Sequence, residues 1–209
     1  MEQETEYLSI CDELEKIIVE IGEPLEGNCF YRHLSLERWE CLKNKRRNYQ
    51  TAVAGKKTVG EVGFNAGHSI LAMLLVNPAA RYTLFDLGEH AYSRPCFEYI
   101  KARFPQTIIE VLWGDSRLTM PKYIQENPRN SFDLIHIDGG HKSEVYTKDW
   151  INSLLLIKEG GLLIFDDSDN KKIGIFLDSQ ISNQSVSEVG GYLKTFGYEH
   201  RIFFANPKK

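Results

Sequence analysis

The chain has no long apolar run. Its longest, residues 70–76, is far too short for a bilayer, which takes ~20 residues. It has no basic leader either: Glu2, Glu4 and Glu6 stand where a signal peptide would carry positive charge. A cytoplasmic location is the resulting expectation. Cysteine is sparse, and Cys11, Cys29, Cys41 and Cys96 form no C-x-x-C pair and have no nearby histidine at finger spacing. A zinc finger and a disulfide framework are thereby excluded, leaving buried reduced thiols. Positive charge is not in excess: 25 Lys and Arg against 29 Asp and Glu give a formal net charge of −4. Such a balance argues against a broad phosphate-binding surface, so nucleic acid is not an expected partner, and neither is a membrane.

What is present suits one domain, or one domain with an added segment: 209 residues, 42% hydrophobic and 26% charged, are enough for a substantial core. Residues 7–21 place Leu8, Cys11, Leu14, Ile17, Ile18 and Ile21 at helical spacing. A second helix is expected from about Ser35, as N-cap, into the basic cluster Lys43, Lys45, Arg46 and Arg47, which reads first as a solvated face and second as an anion site. From Thr58 the texture changes to apolar strands alternating with helical segments, the pattern of a parallel α/β sheet. Strands are expected at 58–62, 81–86, 107–113, 132–137 and 162–165, with two more near 185–189 and 198–205. Helices are expected to open near Gly67, Ser93, Pro121, Lys142 and Lys171, the fourth of them stopped by Gly160-Gly161.

The stretch from Phe132 to His141 organises the rest. Its apolar residues form a strand that ends on Asp138, Gly139 and Gly140 let the chain turn sharply, and His141 follows within reach. Ligands of open α/β sheets bind beyond the carboxyl ends of the strands, so this acid and imidazole are site candidates. Between the first strand and its helix, Glu61, Gly63, Asn65, Gly67 and Ser69 form a G-x-x-x-G turn, which differs from the G-x-G-x-x-G of a dinucleotide fold. Asp86 ends the second strand, where an acid can take both hydroxyls of a ribose. His136 reads as a sheet-face or core histidine, and His68 as facing solvent. Trp39, Tyr49, Tyr92 and Trp150 read mostly as core.

E-x-G-x-x-x-G-x-S from Glu61, then Asp86, then Trp113-Gly114-Asp115-Ser116, then Ile137-Asp138-Gly139-Gly140-His141 and Gly160-Gly161 together resemble the class I S-adenosylmethionine-dependent methyltransferases. Within that class they resemble the small O-methyltransferase-like group whose fourth strand ends in an Asp-Gly turn. The resemblance covers about residues 58–169. It implies a Rossmann-like seven-stranded sheet with the last strand antiparallel and helices on both faces. Residues 1–55 would form a helical lid that selects the substrate, and 56–209 the S-adenosylmethionine-binding domain.

By position, Glu61, Gly63 and Gly67, with Asn65 and Ser69 of the same turn, would take the methionine end of the cofactor, Asp86 the ribose, and Asp115 with Ser116 the adenine; Asp138 borders the same crevice. Asp115 could equally cap a helix. Asp138, Asp166 and Asp167, at adjacent strand ends, could converge on Mg²⁺, the hard cation that carboxylates suit. Alternatively Asp166, Asp167 and Asp169 could cap the helix near Lys171. The pair Asp166-Asp167 resembles sugar- and antibiotic-modifying members more than catechol-type ones. His141 takes the place of the catechol-type lysine base, or bonds backbone at a helix start. The implied reaction is metal-assisted methyl transfer to a hydroxyl of a small molecule, with a homodimer allowed for. A non-catalytic cofactor-binding domain and a metal-free N-methyltransferase are the alternatives.

Overall fold

Five apolar stretches that periodicity marks as strands pair side by side in the computed structural model, which describes residues 2–127, 129, 131–195 and 197–206. They are β1 (Thr58–Val62), β2 (Arg81–Asp86), β3 (Ile109–Trp113), β4 (Phe132–Ile137) and β5 (Ile157–Phe165); β6 (Val186–Glu188) and β7 (Arg201–Ala205) complete a sheet of order β3-β2-β1-β4-β5-β7-β6. β1 to β5 run parallel, and β7 runs antiparallel to both β5 and β6, so the last strand alone is reversed. The seven-stranded expectation therefore holds. The order steps outward from β1 in one direction and from β4 in the other, and the crevice between them is where such sheets bind ligands.

Helices cover both faces: α1 (Glu2–Ile21), α2 (Lys43–Val53) after a 3-10 turn at Glu40–Leu42, α3 (His68–Leu74), α4 (Ser93–Arg103), α5 (Ser116–Glu126), α6 (Ser143–Leu156) and α7 (Lys171–Ser182). Alternate residues of β5 feed opposite cores: Leu162 and Ile164 join one with Leu14, Val53, Leu71 and Ile100, while Leu163 and Phe165 join the other with Met120, Trp150 and Leu177. Burial on both faces is why these strands read as continuous apolar runs. The first core also takes Tyr7, Ile10 and Ile18 of α1, so the N-terminal helices share it with α3 and α4. Among the described residues, no helix is long and apolar enough to cross a membrane.

Several boundaries differ from expectation. Ser35 caps no helix: its Oγ accepts from the Glu37 N–H at 2.9 Å, and Tyr31 bridges to Arg38 as extended chain, so the helix waits until Lys43. Gly160 and Gly161 lie inside β5, not after α6, and the β4–β5 register shifts between Phe132 and Leu134. α5 starts at Ser116 and carries Pro121 within it. The basic cluster is a solvated face only in part: Arg47 is exposed and Lys43 half-buried, but Lys45 and Arg46 are buried. Lys45 lies on the stripe Lys45, Asn48, Tyr49, Ala52, Val53, whose helical spacing turns it inward with the apolar residues.

Candidate functional site

The carboxyl ends of β1, β2, β4 and β5 open into one cavity of about 640 Å³, a size typical of small-molecule sites. Backbone bonds fix the strand ends: the Gly63 N–H donates to Phe85 O at 2.8 Å, the Asp138 N–H to Val62 O at 2.8 Å, and the Asp166 N–H to Ile137 O at 2.9 Å. Gly63 has φ +90°, and a Cβ there would lie 1.9 Å from the carbonyl oxygen of Asp138. Only glycine lets the two turns touch this closely, and Asp138 is placed by that contact.

Gly63, Asn65, Asp86, Asp115, Ser116, Asp138, Asp167 and His141 all line the cavity. Asp86 also organises the glycine turn: its Oδ2 accepts from the Phe64 and Asn65 N–H groups at 2.8 and 2.9 Å, and its Oδ1 from the Gly88 N–H at 2.7 Å. Asp115 is both a cavity residue and the α5 N-cap, accepting from the Arg117 N–H at 2.9 Å. Its bonds to the Arg117 guanidinium hold its carboxyl below the usual range. The N-terminal segment adds Gly27, Asn28, His33 and Lys45 to the wall, and the Asn65 side chain donates to Gly27 O at 2.7 Å.

Other expected site residues stand behind the wall. Glu61 is fully buried; its Oε1 accepts from Ser69 Oγ at 2.5 Å and meets His136 Nδ1 at 2.9 Å. Gly67, with φ +85°, is the N-cap of α3. His68 does not face solvent: it is buried against Phe30 and Tyr31, and burial pushes its pKa down to about 3. His136 is buried as expected, yet it is not a neutral core histidine. Burial opposes its charge, but Asp166 at 3.7 Å, the bond to Glu61 and the charges of Glu61 and Asp138 outweigh this and carry its pKa up to about 10.

The carboxylates after β4 and β5 are not arranged as a simple triad. Asp166, 2% exposed, accepts at Oδ1 from Lys45 Nζ at 2.6 Å and from the Asp167 N–H at 2.9 Å, and at Oδ2 from the Tyr49 hydroxyl at 3.0 Å. Burial alone would raise its pKa; Lys45 and His136 overcome that and hold it far below the carboxylate range. Lys45 Nζ, conversely, is kept charged against burial by Asp166 and Asp138. Asp138 is driven the other way: burial, then the charges of Asp166 and Asp167, raise its pKa well above normal.

A divalent ion held by Asp138, Asp166 and Asp167 needs an oxygen from each, but Oδ1 of Asp166 already serves the Lys45 ammonium and the Asp167 N–H, and Oδ2, which accepts from Tyr49, has one lone pair left, 3.7 Å from His136 Nε2. The expected ligand set does not fit a cation in this arrangement. Among the described residues, potential ligand atoms within 4.8 Å of one another form two other groups, His136–Asp138–Asp166 and Asp138–His141–Asp167. The first contains a histidine held protonated. In the second, His141 Nε2 is bonded to Asp167 Oδ2 at 2.6 Å. None of the three acids caps α7, whose N-cap is Asn170; Asp169 accepts from the Tyr198 and Glu199 N–H groups at 3.2 Å.

The His141–Asp167 pair sits at the cavity edge. Asp167 has φ +53°, a left-handed conformation that turns its side chain away from the course of β5. His141 is 61% exposed, and its bond to Asp167 is the main cause of a raised pKa. That bond engages Nε2 and leaves Nδ1 as the other polar atom of the ring.

Comparison with known proteins adds three structural likenesses and one family. The family described as "Methyltransferase domain" matches residues 61–168. An O-methyltransferase from Bacillus cereus, solved with SAH, superposes with a TM-score of 0.68 at 17% identity, covering 95% of this chain and 91% of that one. The O-methyltransferase TomG from Streptomyces achromogenes, of tomaymycin synthesis and solved with SAM, gives 0.68 at 14%, covering 95% and 90%. CalS11, a TDP-rhamnose 3'-O-methyltransferase of calicheamicin biosynthesis, gives 0.61 at 18%, covering 79% and 78%. At such identities the likeness is one of fold. No curated protein matches the sequence.

Proposed function

This chain belongs to the methyltransferase-domain family, and from that premise we propose that it transfers a methyl group from S-adenosylmethionine to a hydroxyl oxygen of a small molecule. The observation that carries the reading is the His141–Asp167 pair beside Asp138, at the mouth of a cavity whose other wall is the glycine turn with Asp86, Asp115 and Ser116. S-adenosylmethionine, when bound, supplies an electrophilic methyl on a positively charged sulfur. Asp86 and the Gly63 turn would hold its ribose and amino-acid parts, and Ser116 its base. Asp138 would face the reacting centre, and residues 1–55, which bring Asn28, His33 and Lys45 to the wall, would close over the acceptor and select it.

In the transfer the carbon–sulfur bond breaks as the oxygen–carbon bond forms, and the hydroxyl proton goes to His141 Nδ1. Asp167 fixes the opposite nitrogen as the proton-bearing one and stabilises the imidazolium that results. Magnesium assistance, implied by the family resemblance, finds Asp166 engaged by Lys45 and Tyr49, and no step here runs through an ion.

Calorimetry with S-adenosylmethionine, followed by labelled-methyl transfer to a panel of diols, catechols, sugars and amines with and without EDTA, tests the reading. Binding and oxygen methylation are expected, with His141→Ala slowing transfer by about 10²–10⁴-fold. Absence of cofactor binding refutes it, binding without turnover on any acceptor favours a non-catalytic domain, and nitrogen methylation moves the acceptor class.

A further inference from the structure

Lys45 is not explained by cofactor binding or by the base. It is 3% exposed on the inward stripe of α2, its ammonium rests 2.6 Å from Asp166 Oδ1, and it also lines the cavity that Asp138 and Asp167 face. Burying an ammonium is costly unless a counter-charge and hydrogen bonds meet it, and Asp166 supplies both. The same contact neutralises Asp166 as a ligand. Oδ1 is shared by Lys45 and the Asp167 N–H, and Oδ2 accepts from the Tyr49 hydroxyl, which leaves one lone pair, with His136 Nε2 3.7 Å away. A divalent ion approaching Asp138 and Asp167 would therefore meet the fixed ammonium of Lys45 within a low-dielectric wall, and would find the third carboxylate already paired.

We infer that Lys45 is the resident cation of this site: its ammonium stands where the acidic strand ends would otherwise gather a divalent metal, and the chain works without one. Lys45 then offers the cavity a hydrogen-bond donor and a positive charge that a bound metal would have supplied to an acceptor oxygen. The inference rests on the proposed methyl transfer for its chemistry, but its claim about cation binding can be read independently of turnover.

Manganese titration followed by electron paramagnetic resonance is the test, on full-length protein stripped with EDTA, with bound S-adenosylhomocysteine measured by calorimetry on the same samples. Wild type is expected to leave Mn²⁺ free in solution at sub-millimolar concentrations. Lys45→Met, which keeps the length of the stem and removes the charge, should release Asp166 and tighten Mn²⁺ binding by about tenfold or more; adding Asp166→Asn should abolish the gain. Lys45→Arg, which keeps a cation in place, should bind no Mn²⁺ and serves as the partner variant should the methionine form fail to fold. Stoichiometric Mn²⁺ binding by wild type that Asp138→Asn removes would overturn the inference, as would a folded Lys45→Met that gains no affinity. Failure of the protein to bind S-adenosylhomocysteine would instead strike the proposed function and leave the manganese result standing.

Discussion

Asp166→Asn is the sharpest perturbation of this site because it removes the charge at nearly constant volume. Its single amide oxygen cannot serve both the Tyr49 hydroxyl on one side and Lys45 Nζ with the Asp167 N–H on the other, so hydrogen bonding is lost with the charge while cavity formation contributes little. What changes is the environment of Lys45, 3% exposed, whose counter-ion at 2.6 Å disappears. His136 keeps Glu61 at 2.9 Å and is less affected. Removing one partner from a buried pair costs about 3–5 kcal/mol, chiefly because the other is left charged and unpaired. That is a large share of a domain's usual stability of ~5–15 kcal/mol. Lys45→Met should also destabilise, by stranding Asp166. The double variant removes both charges and should recover part of the loss, giving a coupling of at least about 2 kcal/mol in a urea-denaturation cycle at pH 7. A cost below ~1 kcal/mol for Asp166→Asn, or strict additivity in the cycle, would refute the description of this contact as a buried ion pair.

Three further outcomes are expected. Gly63→Ala places a methyl 1.9 Å from the Asp138 carbonyl and at φ +90°, so the β1 and β4 turns must separate; about 2–4 kcal/mol of stability should be lost, with weaker S-adenosylhomocysteine binding, and an unchanged urea midpoint would contradict the geometry. His136 has its pKa raised from 6.5 to about 10, so its stabilising charge is fully present below pH ~6.5 and is lost as pH climbs through about 10; wild type should therefore lose stability across that window more steeply than His136→Asn, and parallel curves would show the histidine to be neutral. Asp138→Asn should weaken binding of the sulfonium donor more than binding of its neutral thioether product, by ~10-fold in the ratio of the two calorimetric affinities, and equal losses would count against a charge role.

The frame was legible because its signals are local. β2 and β4 and the starts of α4 and α7 fall where apolar periodicity puts them, since strands buried on two faces and helices buried on one leave different spacings in the chain. The glycine turn was legible because short spacing encodes a short loop, and Asp86 because it closes an apolar strand. The polar interior was not legible. Lys45 and Arg46 sit in a run of four basic residues over five positions, which ordinarily marks a solvated surface, and what buries Lys45 is Asp166 on a distant strand. The available signal was the position of Lys45 on the same helical stripe as Tyr49, Ala52 and Val53. Glu61 was expected to touch ligand, but side chains alternate along β1 and this one turns under the sheet end to His136, a partner visible only once β4 lies beside β1 in register. His68 was misplaced because a polar residue in a glycine turn says nothing of the aromatic N-terminal loop that folds over it.

Beneath the cavity the buried charges alternate in sign: Glu61, then His136, then Asp166, then Lys45, each next to its opposite at 2.9, 3.7 and 2.6 Å. Within this row the pKa of Asp166 is held low and those of His136 and Lys45 high, in a medium that would neutralise any one of them alone. Asp138 stands at its open end without an equivalent partner, because Lys45 is committed to Asp166 and His141 to Asp167. Burial, and then the charges of Asp166 and Asp167, push its carboxyl toward the protonated form, and a positive charge entering the cavity would oppose that push. A sulfonium donor brings such a charge, and its product after transfer does not. On the proposed function, the alternating network leaves one carboxylate short of a cation at the point where a cationic substrate arrives, so that the substrate is favoured over its own product by the same electrostatics that fix the fold around Lys45.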